Sequence, residues 1–199
     1  MSRRWSCLLL VVAGCRFGGV EPQPLAGPMP RTIAVSPCVP AAFMSERELL
    51  MTGLGEALGA RGYGLVVAPV VAQMLVDAGL DPLHATVGQI GRLTGADAVL
   101  VLDVTRFTAV GQRPLARGEW DLQWRLVTPG GGALWSRSAR GNWQPSDAYT
   151  EDPNAPLDRR SLPGPQLLGG PATPTFRDAV DLMSWLHQNA FSHLPRAVR

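Results

Sequence analysis

The sequence contains no lysine, because all 18 of its basic residues are arginine. This absence excludes a nucleotide-binding phosphate loop with its lysine, a Schiff-base lysine and a lysine general base. Cysteine and histidine are also scarce, at three residues each, and no spacing among them matches a zinc, redox or metalloprotease motif. No apolar run reaches the roughly 20 residues that a membrane-spanning helix needs. These deficits exclude lysine-dependent sites and predict a chain with no zinc or redox motif and no membrane-spanning helix.

The longest early apolar run, from Trp5 to Ala13, lies between two arginines and several small residues. This order is typical of a secretory signal. The run ends in Val12-Ala13-Gly14-Cys15, which resembles the lipobox of bacterial lipoproteins. The resemblance implies a signal peptide at residues 1–14, cleavage before Cys15, and acyl chains on the Cys15 sulfur and on the new N-terminus. An export signal with an unrelated cysteine is the alternative.

Removal of the signal would change the charge balance of the chain. Arg3 and Arg4 would be lost from the 18 basic residues, which leaves 16 against 16 acidic residues. A nucleic-acid-binding protein needs a retained basic stripe, and the sequence contains none. We therefore expect no nucleic-acid partner.

The third cysteine, Cys38, would have no intrachain partner, because Cys7 leaves with the signal and Cys15 is modified. Cys38 lies in the apolar stretch "TIAVSPCVP", where a buried thiol behaves as a small hydrophobic group. We expect structural packing, with a reactive or intermolecular thiol as the alternative.

Composition divides the rest of the chain into four parts. Residues 15–31 are rich in proline and glycine and predict a tether from the lipid. Residues 32–143 predict an α/β domain. Residues 144–174, polar and broken by prolines, predict a long loop, and residues 175–195 predict a final helix with one apolar face.

The domain begins with alternating strands and helices. A β-branched run predicts a buried strand over Thr32–Val39. Ser45, with Glu48 three residues later, predicts a capping box at the start of a long helix that ends near Gly62. A short strand, two helices (the first starting near Pro69) and the apolar strand "ADAVLVLDVTRF" follow.

A hairpin follows, because two alternating segments flank the glycine turn at 130–132. Trp120, Leu122, Trp124 and Leu126 share one face of the first segment, which predicts a buried face. The opposite, wet face is a candidate partner surface, made by Asp121, Gln123 and Arg125. An ordinary solvated face is the alternative.

The final helix is expected to cover the sheet. Binding to a membrane surface is the alternative, but its polar face lacks the basic residues that such binding favours.

The element order β-α-β-α-α-β-β-β-α predicts an α/β fold with a mixed β-sheet and packed helices. Together with the lipobox, three segments resemble small bacterial envelope lipoproteins of unassigned function whose domain is related to the TolB N-terminal domain and to CsgG. These segments are "IAVSP" (33–37), "GADAVLVLDVTRF" (95–107) and "GGALWSRSARG" (131–141). The chain departs from that pattern after Pro37, where Cys38, Val39 and Pro40 follow, and over residues 144–174.

The resemblance implies an accessory role in envelope transport or assembly, with a protein partner or self-association, because CsgG-like domains form rings. It also implies a periplasm-facing domain. Arg16 stands where an aspartate would commonly retain a lipoprotein in the inner membrane, which favours the outer membrane.

No catalytic constellation, cofactor site or metal site is evident in the sequence. The histidines are scattered, and Ser136 and Ser138 lie in a strand rather than in a nucleophile elbow. Asp97 is interpreted as a helix-end or turn residue that hydrogen-bonds local backbone. Two rival functions stay open: a small-molecule-binding module with a pocket beside Trp120, Trp124, Trp135 or Trp143, and a hydrolase with an unrecognised site.

Overall fold

The computed structural model describes residues 23–111, 115–143 and 176–197. Its strands are β1 (Thr32–Val35), β2 (Gly64–Val66), β3 (Ala98–Val110), β4 (Arg117–Val127) and β5 (Ala133–Trp143). Its helices, besides a 3-10 turn at Ala41–Phe43, are α1 (Arg47–Met51), α2 (Leu54–Gly59), α3 (Ala68–Asp77), α4 (Val87–Thr94) and α5 (Ala179–Ser192). None of the helices in these ranges is long and apolar enough to cross a bilayer.

The five strands form one mixed sheet in the order β2-β1-β3-β4-β5. Strand β1 pairs in parallel with β2 and with β3, whereas β3-β4 and β4-β5 are antiparallel. The predicted α/β class with a mixed sheet and packed helices is confirmed. The element order differs at one point, because the first predicted helix is divided into α1 and α2.

The helices cover the two faces of the sheet unequally. Helices α1, α2 and α5 pack on one face over a large core that includes Leu50, Leu58 and Leu186 from the helices and Trp124 from β4. Helices α3 and α4 pack on the other face over a smaller core around Ala34 and Val99, in β1 and at the start of β3. Within the described residues, the second half of β3, all of β4 and β5 therefore have no helix over this second face.

The predicted capping box at Ser45 and Glu48 is wrong. The Ser45 hydroxyl donates to the Glu46 carboxylate at 2.7 Å, and α1 begins at Arg47 without a side-chain cap. The helix then breaks at Gly53, which has φ +75 and caps α2. A Cβ at Gly53 would lie 2.9 Å from Ser184 Oγ, so the break brings the backbone close to α5 where a side chain would not fit.

A true capping box starts α4. The Thr86 hydroxyl accepts from the Gln89 backbone N–H at 3.3 Å, and the Gln89 side chain accepts from the Thr86 N–H at 2.8 Å. Within α4, Gly91 lies against the β4-β5 turn, where an added Cβ would be 2.5 Å from Pro129 Cγ. Gly91 lowers helix propensity, but it allows this close contact.

The described part of the predicted tether is held against the domain. The Gln23 N–H donates to the His193 carbonyl at 2.7 Å, and the Ala26 N–H donates to the Leu134 carbonyl at 2.8 Å. The Asp97 carboxylate accepts from the Arg31 N–H at 2.8 Å and from the Thr32 N–H at 3.0 Å. Asp97 thus binds backbone more than 60 residues away, and its interpretation as a local turn residue is wrong. Residues 15–22 of the predicted tether lie outside the described residues.

Candidate functional site

The part of the second sheet face without a helix is the candidate site, and we call it the open sheet face. It carries polar side chains from three strands: Asp103, Arg106, Glu119, Asp121, Gln123, Arg125, Ser136, Ser138, Arg140 and Asn142. The predicted alternation of β4 is observed, because the tryptophans and leucines at 120–126 are buried, whereas Asp121, Gln123 and Arg125 are half-buried. The structure therefore brings the three predicted surface residues together on one face.

Most charged groups of the open sheet face are paired across strands. The Arg125 guanidinium donates to both oxygens of Asp103, with the Nη2–Oδ1 contact at 3.2 Å. This hydrogen-bonded carboxylate raises the pKa of Arg125. Arg140 donates to Asp121, with its Nε at 2.8 Å from Oδ2. Two of the three predicted surface residues are thus engaged with neighbouring strands.

A third carboxylate, Glu119, faces two guanidinium groups. It contacts Arg117 directly, and Arg106 Nη1 lies 3.6 Å from its Oε2. Gln123 lies between the ion pairs, opposite Asp103 on β3 and Ser138 on β5. Exposed ion pairs contribute only about 0–1 kcal/mol each to stability, so these pairs contribute little to folding. Because opposite charges are paired, the open sheet face is polar and nearly neutral.

A polar cavity of about 460 Å³ opens on this face. Its lining includes Arg106, Glu119, Asp121, Arg140 and Asn142. The cavity has charged walls of both signs, which fits a polar contact rather than an apolar ligand.

A second cavity, of about 540 Å³, lies where the parallel strands end. Val35 at the end of β1 and Val67 after β2 line it, together with Leu54 and Ala68 from the helices and the charged Arg47 at α1. Ligands in open α/β sheets bind in the crevice at the carboxyl ends of the strands. The volume is within the range of small-molecule sites.

The polar cavity lies beside one of the four tryptophans at which a small-molecule pocket is predicted. Trp120, Trp124 and Trp135 are buried in the core. The ring of Trp143 packs against Phe176, with ring centroids 5.3 Å apart. Only Trp120 borders one of the cavities described above, and that cavity is the polar one.

A buried polar cluster around His187 was missed by the sequence analysis. His187 is fully buried, its Nδ1 accepts from the Trp124 indole N–H at 3.0 Å, and its Nε2 lies 2.9 Å from the Leu50 carbonyl. Because Nδ1 accepts, Nε2 carries the proton and donates to Leu50. Burial lowers the pKa of His187 to about 4, against the weaker effect of the Leu50 hydrogen bond. A neutral imidazole thus connects β4, α5 and α1.

The geometry assigns His187 a structural role. Both ring nitrogens are occupied, so the imidazole has no free atom with which to exchange a proton with a substrate. One feature of the sequence could have indicated that His187 is buried. It lies on the apolar stripe of the last helix, four residues after Met183 and three before Ala190.

The other reactive groups in the described ranges are dispersed. His84 is exposed and its Nδ1 lies 2.7 Å from Asp81 Oδ2. The Leu83 backbone N–H, followed by the His84 side chain, lowers the pKa of Asp81. Cys38 is half-buried, and its Sγ donates to the Pro82 carbonyl at 3.0 Å. No group of three metal-ligating side chains occurs within the described ranges. Cys15, the predicted lipidation site, lies outside them.

No family model matches the chain, and no curated protein matches its sequence. Among solved structures, the chain is similar to lipoprotein GNA1162 from Neisseria meningitidis, with 23% identity over 65% of this chain and 89% of that chain and a TM-score of 0.47. It is also similar to the PelC dodecamer from Paraburkholderia phytofirmans, with 15% identity over 85% of this chain and 89% of that chain and a TM-score of 0.46. Both TM-scores lie below 0.5, so these similarities do not assign the chain to a family.

Proposed function

We propose that the chain is a non-catalytic lipoprotein of the bacterial envelope, anchored through acyl chains at Cys15 with its α/β domain facing the periplasm. The observation that carries this proposal is the sequence VAGC at 12–15, which ends an apolar run too short to span a bilayer and precedes a folded domain. A single acyl chain gives only marginal membrane binding, so stable anchoring requires the several chains that lipoprotein processing supplies.

The finer assignment rests on resemblance. The order of motifs shared with the TolB N-terminal and CsgG-related lipoproteins favours an accessory role in envelope transport or assembly. Arg16, directly after Cys15, favours the outer membrane over the inner one.

The open sheet face is the proposed binding surface for a protein partner. Three features support it: the helices of the described ranges leave it uncovered, its strands are long, and its charges are already paired, as in Arg125 with Asp103. A partner that covers paired charges desolvates fewer isolated ions than one that covers single charges. A protein with its own mixed polar surface fits this face better than a nucleic acid, which requires a basic stripe.

Site-specific photo-crosslinking in living cells tests this surface. A photoreactive residue at Gln123, in the centre of the open sheet face, is expected to capture a discrete protein. The same residue at Gln73, which is exposed on helix α3 and lies outside the open sheet face, is the matched control. Capture at Gln123 that is lost with Arg125→Glu supports the proposal. Equal capture at both positions, or no capture at Gln123, contradicts it.

A second candidate function, small-molecule binding, is favoured by the cavity at the carboxyl ends of β1 and β2. Gly55 lines this cavity, and its added Cβ would be an ordinary 3.6 Å from Val67 Cγ1, so Gly55→Leu should fill the space without disturbing α2. Native mass spectrometry of protein purified from envelopes would then show a bound small molecule in the wild type and none in Gly55→Leu. An unliganded wild type would argue against this function.

A further inference from the structure

The attachment of the N-terminal segment limits how far the domain lies from its proposed anchor. The hydrogen bond between the Gln23 N–H and the His193 carbonyl fixes Gln23 on the domain surface. Eight residue steps separate Gln23 from Cys15. A fully extended chain covers at most about 3.6 Å per residue, so Gln23 lies within about 29 Å of the lipidated cysteine.

Gln23 is attached at one particular edge of the sheet. Its acceptor His193 begins the segment 193–197, which runs beside the residues that precede β2: the Tyr63 hydroxyl donates to the Pro195 carbonyl at 2.7 Å, and the Ala197 N–H donates to the Arg61 carbonyl at 2.9 Å. Arg31 and Asp97, joined by a hydrogen bond, directly precede β1 and β3. We call this region, where the parallel strands begin, the amino edge.

Among the described residues, basic side chains outnumber acidic ones at the amino edge. Arg31 and Arg196 are exposed, and Arg61 is half-buried, whereas Asp97 is the acidic residue beside them. The Arg61 guanidinium donates to the Ser192 and Leu194 carbonyls, which holds it at this edge. Burial, followed by the charge of Arg196, lowers the pKa of Arg61.

The opposite, carboxyl edge differs from the amino edge in two ways: Gln23 is not attached there, and its charges are balanced. It is where β1 and β2 end and where the 540 Å³ cavity opens, and the charged residues that line this cavity, Arg47 and Glu48, balance each other. A basic residue near an anionic membrane surface is stabilised by electrostatic attraction to the lipid headgroups. The positive charge and the short connection to Cys15 therefore both favour the amino edge as the side of the domain that faces the membrane.

We infer that the amino edge, around Gln23, Arg31, Arg61 and Arg196, rests against the anionic leaflet that holds the acyl chains. This inference depends on the proposed lipidation at Cys15. It places the cavity at the carboxyl edge on the side away from the membrane, open to periplasmic solutes, and leaves the open sheet face accessible from the side.

Distance-dependent broadening of a nitroxide spectrum tests the orientation. The lipidated protein, with Cys38→Ser to remove the native thiol, is labelled at Ala197→Cys on the amino edge or at Val70→Cys in the first turn of α3. Both substitutions replace a small side chain, and Val70 is 49% exposed. The protein is inserted into phosphatidylglycerol vesicles that contain a nickel-chelating lipid headgroup. Broadening at least threefold stronger at position 197 than at position 70 is expected.

Equal broadening at the two positions, or stronger broadening at position 70, overturns the inference. The intact mass of the same sample reports lipidation independently: an unacylated protein overturns the proposed anchor and the orientation together, whereas an acylated protein with equal broadening overturns the orientation alone. Replacement of phosphatidylglycerol by phosphatidylcholine should reduce the contrast at least twofold. A contrast that does not change would overturn the assignment of anionic headgroups as the surface that the edge contacts.

Discussion

Acidification from pH 7.5 to pH 5 should destabilise the fold through His187. The neutral imidazole accepts from Trp124 and donates to the Leu50 carbonyl, inside the core. Protonation would place a second N–H against the indole N–H and an unpaired charge in an apolar site. The unfolded chain has no such restriction, so it binds the proton at higher pH than the folded chain.

The sign and size of the effect follow from the two pKa values. Burial lowers the pKa of His187 from 6.5 to about 4, so the unfolded state binds more protons between these values and stability falls as the pH falls. Each pKa unit corresponds to about 1.4 kcal/mol. The loss is thus near zero above pH 7.5, about 2 kcal/mol at pH 5 and about 3 kcal/mol below pH 4. The pKa values of Asp81 and Asp97 are lowered from 3.8. Their stabilising contributions are therefore lost only below the pH range from 7.5 to 5 that this comparison uses.

Urea unfolding of the chain expressed from Arg16 without export, followed by tryptophan fluorescence at pH 7.5 and pH 5, measures the effect. His187→Gln is the matched control, because an amide offers both a donor and an acceptor but does not titrate. The wild type should lose about 2 kcal/mol more than His187→Gln between the two pH values. The same pH dependence in both proteins would refute the assignment of His187 as a buried neutral group.

Three further predictions concern separate parts of the fold. Asp97→Ala removes the acceptor for the backbone N–H groups of the N-terminal segment. It should lower the free energy of unfolding by about 1 kcal/mol and speed proteolysis near residues 23–31. Unchanged proteolysis would contradict this attachment. Gly91→Ala should destabilise by about 1–3 kcal/mol because its Cβ would overlap Pro129. Gly59→Ala, whose added Cβ would be an ordinary 3.9 Å from Leu65 Cδ1, should be neutral or stabilising by up to about 1 kcal/mol in thermal unfolding. A stabilising Gly91→Ala would show that the turn yields. The Cys38 thiol should react with maleimide far more slowly in the native than in the urea-unfolded protein, and rapid native labelling would refute its packing.

Elements specified by local patterns were predictable from the sequence. The alternation at Trp120–Val127 and the glycine turn at 130–132 are sufficient to predict the hairpin, because period-two burial and turn chemistry are local properties. The start of α3 near Pro69 is likewise predictable, since proline is favoured in the first turn of a helix.

Features that depend on long-range packing were not predictable. The break at Gly53 exists because Ser184, more than 130 residues away, occupies the space of a side chain. The predicted strand Thr32–Val39 ends at Val35 in the sheet, and the Asp97 carboxylate binds backbone that only the parallel β1-β3 pairing brings near. The structural role of His187 was not predictable, because it depends on hydrogen-bond partners on β4 and α1. The sequence was sufficient to predict that Asp121, Gln123 and Arg125 share one face of the hairpin. Their ion pairs with Asp103 and Arg140 were not predictable, because these depend on strand register.

The mass of the N-terminal residue in protein isolated from native envelopes tests the central claim most directly. The account predicts a mature chain that begins at Cys15 with acyl groups attached, unchanged in Cys7→Ser and lost in Cys15→Ser. A mature chain that begins at any other residue, or that carries no fatty acid at Cys15, would contradict it.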